Sequence, residues 1–387
     1  MGGVENAVIS LARGLAALRS PTGQAEFRVT VVTLTDAGHF DDRTLPFRVF
    51  RKLSFLKLIN LIRQADVVHV AGPSLTPLLL AYSTRTPLVV EHHGYQAVCL
   101  NGLLLQQPGA STCPGYFQER QYSKCVRCFA AETSLLRGIP KLLTMFPRQF
   151  VTRRADVNIA ITRHVMDRQR LPHTQVVYYG IEDPLKGSIP GPPKAVQDTI
   201  CFAYVGRFVG EKGLPVLLQA ASLLHRQGIS FRVLLVGDGQ QRPELEEIIR
   251  REQLQEVVCI TGYLRGEQLA AALQQIDVVV MPSLWEETAG LSAIEQMMCG
   301  KLVIASAIGG LREIVADGGL TFPPGDAVAL AQHMRAVITE PSSFDNLRRV
   351  ARSRSLRMFQ LQTMINEHAA IYKRLSRSQL QEFAEHQ

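Results

Sequence analysis

The sequence predicts an α/β protein built from two doubly wound, Rossmann-like domains. Three observations carry that expectation. A length of 387 residues suits two domains, each with its own core. Short apolar runs alternate with amphipathic helical stretches, the pattern of parallel α/β structure. That pattern breaks once, at a Gly/Pro-rich stretch, and then restarts.

In the first half the strand candidates are FRVTVVTL (27–34), DVVHVAG (66–72), PLVVEHHG (87–94) and DVNIAIT (156–162). The stretch KGSIPGPPKAVQD (186–198) has no apolar period and reads as the linker. After it come ICFAYVGR (200–207), FRVLLVGDG (231–239), VVCITGY (257–263), DVVVMPS (277–283) and KLVIASA (301–307), with helical segments between. The expected organisation is a first domain over 1–185, the linker 186–198, a second domain over 199–352 and a helical, Arg-rich closing segment over 353–387. Two such domains facing across a cleft would bind ligands at the carboxyl ends of their strands. The sequence opens on Gly2-Gly3 and a helical pattern with no strand before it. A doubly wound sheet normally places its first strand in the middle, so the expectation is a truncated or mis-started sequence, or else a shortened sheet.

Composition narrows the function. A 46% hydrophobic and 20% charged chain is globular, and no run reaches the roughly 18 apolar residues of a membrane span. The N-terminus lacks the build of a secretion signal, so the expected location is the cytoplasm. Residues 1–186 hold 22 Lys+Arg against 13 Asp+Glu, a net of +9; residues 187–387 hold 20 against 21, a net of −1. One basic half suggests one anionic partner. No nucleic-acid motif is present, which leaves a membrane surface, at the inner face, as the better partner. RKLSFLKLINLIR (51–63) and RGIPKLLTMFPRQFVTRR (137–154) have the composition of interfacial helices, and equally that of core helices with solvated basic faces.

The second half carries the chemistry. Its first strand ends in Gly206-Arg207, with Lys212-Gly213 before a helix near Pro215. Glycines, two cations and a helix N-terminus make a cradle for a diphosphate. It is no Walker loop, and Gly237-Asp238-Gly239 lacks the third glycine of a dinucleotide fingerprint. The run DVVVMPS ends in the loop Trp285 to Gly290, followed by a helix from about Leu291 to Cys299 that stops at Gly300. Gly290 and the amides of Leu291 and Ser292 would face a phosphate. Glu295, one turn into the helix, can accept two ribose hydroxyls, and Glu287 on the loop can hold a second polyol. Two acids on either side of a phosphate site describe a nucleotide-sugar pocket.

On these residues the chain resembles the family 4 retaining glycosyltransferases, of GT-B fold. The motifs are GRFVGEKG (206–213), VGDG (236–239), TGY (261–263), WEETAGLSAIEQMMCG (285–300), GGLREIV (309–315) and PPGD (323–326), with the E-x7-E pattern on Glu287 and Glu295. The resemblance implies that Arg207 and Lys212 bind the donor diphosphate together with Gly237, that Glu295 holds the ribose, and that Glu287 with the amides of Gly290 to Ser292 positions sugar and phosphate. No metal is then required for catalysis, since fixed cations and amides meet the charge on the leaving group. Thr288-Ala289 stands where the family more often has Pro-Phe, which loosens any inference about the sugar.

The first half resembles the family more weakly. Gly2-Gly3 with Glu5 matches the glycine loop that faces donor phosphates, which makes Gly3 a donor-binding residue. His93, rather than His92, matches the histidine that contacts the transferring sugar. His69 is either a hydrogen-bonded strand-end residue or a functional one. Cys99, Cys113, Cys125 and Cys128, the last two as CVRC, have the composition of a structural four-thiolate zinc site. A subgroup of the family carries a similar Cys-rich insertion. Cys201, Cys259 and Cys299 are expected to be packing residues. The implied activity is transfer of a sugar from a nucleoside-diphosphate sugar to a glycan or lipid-linked acceptor, membrane-associated or a polysaccharide precursor. The alternative is a non-catalytic sugar-nucleotide-binding relative with a regulatory or scaffold role. The resemblance also implies that the last helix crosses back to the first domain.

Overall fold

The structure, a computed structural model, describes residues 3–36, 41–107, 109, 111–186 and 199–385. Apart from Lys186, the predicted linker lies outside the described residues. The chain divides into two compact units. One comprises Met1–Leu103, Pro114–Glu182 and Met358–Gln387; the other, Leu104–Cys113 and Asp183–Arg357.

In chain order the first stretch gives α1 (Gly3–Ala17), β1 (Thr30–Thr33), β2 (Arg48–Arg51), α2 (Phe55–Arg63), β3 (Val68–Ala71), α3 (Leu75–Thr84) and β4 (Leu88–His92). A short antiparallel hairpin follows, β5 (Leu105–Gln106) with β6 (Ser111–Thr112), assigned to the second unit. Then come α4 (Tyr122–Ala130), α5 (Leu135–Thr152), β7 (Val157–Ala160), α6 (Arg163–Gln169) and β8 (Thr174–Val176). β3, β4, β7 and β8 form a parallel sheet in that order, whereas β1 and β2 form a separate parallel pair. Among the described residues no strand joins β1 to β3.

All five residues of β4 are buried, including Glu91 and His92. A strand in the middle of a parallel sheet is covered on both faces, which is why PLVV reads as a continuous apolar run. α5 is different. It buries Met145 and Val151, yet Leu136 is 87% exposed and Leu135, Ile139, Leu143, Phe146 and Phe150 are also open. α2 likewise exposes Phe55 and Leu56 while burying Ile62. Both basic segments therefore leave large apolar side chains in solvent.

The second unit contains β9 (Cys201–Val205), α7 (Leu214–His225), β10 (Arg232–Val236), α8 (Arg242–Arg251), β11 (Val258–Gly262), α9 (Gly266–Gln275), β12 (Val278–Met281), α10 (Leu291–Met298), β13 (Leu302–Ser306), α11 (Gly309–Val315), β14 (Leu320–Phe322), α12 (Ala327–Thr339) and α13 (Asp345–Met358). The six strands are parallel in the order β11-β10-β9-β12-β13-β14. Strand order reverses between β9 and β12, and the crevice outside their carboxyl ends is where such sheets take ligands. The last helix, α14 (Leu361–Glu385), belongs to the first unit, where Ile365 packs onto Gly14 of α1.

Candidate functional site

The β9–α7 loop and the β12–α10 loop leave the sheet side by side at this switch point. β9 is followed by Gly206, whose amide donates to the Val236 carbonyl, and the Phe208 amide donates to the carbonyl of Asp238. These bonds tie the GRF and VGDG motifs together, so Gly237 shapes the loop beside Arg207. The Arg207 side chain is exposed. Its charge and that of Glu287 both act on the Tyr204 hydroxyl, whose pKa is raised first by burial, then by Glu287, with Arg207 opposing. Gly213, in the left-handed region at φ +67°, is the N-cap of α7. A Cβ there would lie 2.0 Å from the Pro282 carbonyl oxygen, so only glycine lets this loop sit against the end of β12.

Glu287 is 4% exposed. Its carboxylate accepts from the Ser283 hydroxyl at 2.8 Å and from the Lys212 ammonium. The same ammonium lies 5.5 Å from the centre of the Trp285 ring, the chain's single tryptophan. Lys212, expected to face a diphosphate, and Glu287, expected to face a sugar, are thus paired with each other. The physical reason is direct: a carboxylate this buried needs a cation, and Lys212 is the one within reach.

The loop that carries Glu287 is seated on α11. The Gly310 amide donates to the Glu287 carbonyl at 2.5 Å. A Cβ on Gly309 would come within 2.6 Å of the backbone of Glu286 and Glu287. The two glycines of the GGLREIV motif let the loop backbone and the start of α11 touch.

Gly290, left-handed at φ +74°, is the N-cap of α10. The first-turn amides of Leu291 and Ser292 have no partner within the helix, as at any helix start. The Ser292 hydroxyl donates to the Val205 carbonyl at 3.0 Å, so it fixes α10 to the end of β9. Glu295 is exposed, yet the protein around it desolvates its carboxyl and raises the pKa above the ordinary value. At the switch point the structure thus brings together Arg207, Lys212, Glu287, the α10 N-terminus and Glu295.

In the first unit, Gly3 opens α1. The two histidines that end the β4 run have different environments. His92 donates through Nε2 to the Asn158 side-chain oxygen at 2.9 Å, and burial lowers its pKa to about 4. His93 is hydrogen-bonded through Nδ1 to the Tyr179 hydroxyl at 2.5 Å and stacks on that ring. Burial lowers its pKa despite the nearby Glu91 charge, which keeps it neutral at neutral pH. His69 bonds to Tyr372 through Nδ1 and approaches Glu91 through Nε2 at 3.1 Å. Sequence reasoning missed Glu91, Tyr179, His368 and Tyr372. The first sits in an apolar run, and the others lie far from it in the chain. Cys99 bonds to Asn101, whose amide lies 3.9 Å from the Cys128 sulfur, and Cys125 joins the core with Leu100, Phe117 and Met145. Cys113 donates its amide to Leu104 at 2.7 Å. Cys201 is buried as expected, but Cys259 is exposed on β11, since its side chain falls on the outer face of an edge strand.

A six-stranded Rossmann-like sheet with cations, acids and a helix N-terminus at its switch point defines the class of α/β proteins that hold phosphorylated ligands there. Comparison with known families agrees. The family described as glycosyl transferases group 1 matches residues 188–354, and that described as glycosyltransferase family 4 matches residues 1–183. The chain belongs to the family 4 glycosyltransferases, which have the two-domain GT-B fold. It is 36% identical over 143 residues to the 2-deoxystreptamine glucosyltransferase of Streptomyces kanamyceticus, a match that covers 36% of this chain and 37% of that one. It is 25% identical over 258 residues to the alpha-D-kanosaminyltransferase of the same organism, covering 63% of this chain and 67% of that one. Among solved structures it is similar to Anabaena HepE in complex with UDP, at a TM-score of 0.70, 18% identity and 96% coverage of both chains.

Proposed function

We propose that this chain is a retaining glycosyltransferase that moves a sugar from a nucleoside-diphosphate sugar to a membrane-associated or polysaccharide-precursor acceptor. The observation that carries the reading is the convergence of Arg207, Lys212, Glu287, the α10 amides and Glu295 at one strand-end crevice. Arg207, Lys212 and the helix N-terminus supply fixed positive charge where a diphosphate leaving group develops negative charge. Glu295 supplies an acceptor for ribose hydroxyls, and Glu287 one for hydroxyls of the sugar. The Lys212–Glu287 pair gives this pocket a latch: an arriving diphosphate competes for the ammonium, and the freed carboxylate oxygen becomes available to the sugar. His93, neutral and oriented by Tyr179, is the candidate sugar contact from the first unit, with Gly3 at the phosphates. HepE has been observed with UDP, so uridine is the first base to try.

The membrane part of the reading rests on α5. Leu136, Ile139 and Leu143 lie exposed beside Arg137 and Lys141, the arrangement of a helix that rests in a lipid interface. Among the described residues no helix is long and apolar enough to cross a membrane. The four-cysteine zinc site stays part of the proposal as a structural element.

The test is thermal stabilisation of wild type and Glu295→Ala by UDP, GDP and ADP. A nucleotide at one hundred times its Kd stabilises by about 2.7 kcal/mol. One nucleotide should shift wild type and leave the variant unmoved. If no nucleotide shifts a folded wild-type sample, the donor pocket is misassigned.

A further inference from the structure

Outside the donor crevice, the first unit contains one group of side chains that the glycosyltransferase reading does not use. His69 on β3, Glu91 on β4 and His368 on α14 each offer a ligand atom, and those atoms lie within 4.8 Å of one another. Glu91 and His368 are buried, and His69 is partly open.

The hydrogen bonds around the group fix what its inward atoms can be. His368 Nδ1 lies 2.8 Å from the Met364 carbonyl, which can only accept, so Nδ1 carries the proton. In the neutral ring, Nε2 is then a lone pair. That atom is fully buried, makes no hydrogen bond, and faces Glu91 Oε1 at 3.7 Å. With Nε2 unprotonated, it and Glu91 Oε1 are two acceptors across a buried gap, and either a proton or a metal ion must stand between them. A proton on Nε2 would draw the pair to about 2.7–2.9 Å, the span of a charge-assisted bond. The observed spacing is wider. It suits two ligands of one metal instead: with bonds of about 2.0–2.1 Å, neighbouring ligands of a four-coordinate ion stand roughly 3.3 Å apart. The Glu91 oxygens lie 3.1 Å from His69 Nε2 and 3.7 Å from His368 Nε2, on either side of that figure. Each imidazole is also held from behind, His69 by Tyr372 and His368 by Met364, as metal-bound histidines commonly are.

We propose that His69, Glu91 and His368 bind a divalent transition cation of the zinc type. Two imidazoles and one carboxylate prefer such a borderline ion to magnesium or calcium. The ion would tie α14 to β3 and β4, which gives it a structural role. The group borders His93, whose Nε2 lies 3.6 Å from Glu91 Oε2.

The experiment is a cobalt titration of the chelator-stripped full chain, followed by visible spectroscopy, on wild type and His69→Ala. His69 is the ligand nearest solvent, so its loss threatens folding least. The difference spectrum should show ligand-field bands with no thiolate charge-transfer band, which separates this site from any held by cysteines. His69→Ala should bind at least about tenfold more weakly, since even the loss of an outer hydrogen bond commonly costs that much. Wild-type protein that takes up cobalt only with a thiolate band, or takes up none, overturns the proposal without reference to the variant. So does a His69→Ala titration that matches wild type.

Discussion

The Lys212–Glu287 pair makes a quantitative prediction because its two members are unequally placed. The Glu287 side chain is 6% exposed and that of Lys212 16%, on a longer and more flexible stem. In Lys212→Met the stem still packs on Trp285, but Glu287 is left as a buried carboxylate held only by the Ser283 hydroxyl. Removing one partner of a buried pair costs about 3–5 kcal/mol, and the surviving Ser283 bond places this case near 3 kcal/mol. In Glu287→Gln the ammonium can turn outward into water, so the loss should be nearer about 1 kcal/mol. Trp285 is the chain's single tryptophan and lies within this site, so its fluorescence reports unfolding of the second unit alone. Urea unfolding followed at that residue should rank wild type first, Glu287→Gln second and Lys212→Met last. In thermal unfolding, a loss of about 3 kcal/mol corresponds to roughly 6–12 °C for a unit of this size. If Lys212→Met lies within about 0.5 kcal/mol of wild type, or the two variants lose the same amount, the unequal-burial argument is wrong.

Further expectations follow from the same geometry. Glu295 has a raised carboxyl pKa, so the folded state prefers its neutral form: without ligand, stability should rise as pH falls through the raised value toward that of the unfolded chain. Nucleotide affinity should fall over the same interval, because ribose hydroxyls need the ionised form, and Glu295→Gln should remove both trends in calorimetric titrations. Gly309→Ala places a methyl 2.6 Å from the Glu287 backbone at φ +59°, so it should cost at least about 1–2 kcal/mol from the conformation alone and weaken nucleotide binding with it. Leu136→Asp and Leu143→Asp should each reduce binding to anionic vesicles by about tenfold. Nucleotide affinity should stay unchanged; vesicle binding that is insensitive to both substitutions would remove α5 from the membrane reading.

The parts of the fold that the sequence makes legible are those where one force dominates. β9, β12 and β13 are covered on both faces, so each reads as a nearly unbroken apolar run. β2, β8 and β14 were missed for the opposite reason. RVFR sets only two apolar residues between charges, and β8 and β14 are three residues each at sheet edges, held by a neighbour's backbone more than by their own side chains. The donor-side residues were legible because α/β topology forces the ends of β9 and β12 together, and a motif on each loop is therefore a motif in one place. Their partnerships were not. That Lys212 answers Glu287, and that Gly309 seats the same loop, depends on how closely two backbones approach, which residue spacing does not encode.

Glu91 shows the limit most clearly. In the sequence it is the one charged residue in PLVVEHHG, and composition alone offers it no partner. Its neighbours come from β3, 22 positions before it, and from α14, 277 positions after it. A buried carboxylate is tolerated only where cations or donors converge, so its presence in a central strand already implies that something distant must return to meet it. The returning element is α14, the helix that belongs to the first unit although it follows the second. An uncompensated acid in a buried strand thus predicts a long-range contact, and here it is met by the convergence of His69 and His368 on Glu91. The argument can be tested on Glu91 itself. Glu91→Gln keeps the shape and removes the charge, so it should loosen α14 selectively. Hydrogen exchange should then speed up in 361–372 while the amides of β9–β14 keep wild-type protection. Uniform loss of protection across both units would mean that Glu91 serves general packing, and that the tie to α14 has been overstated.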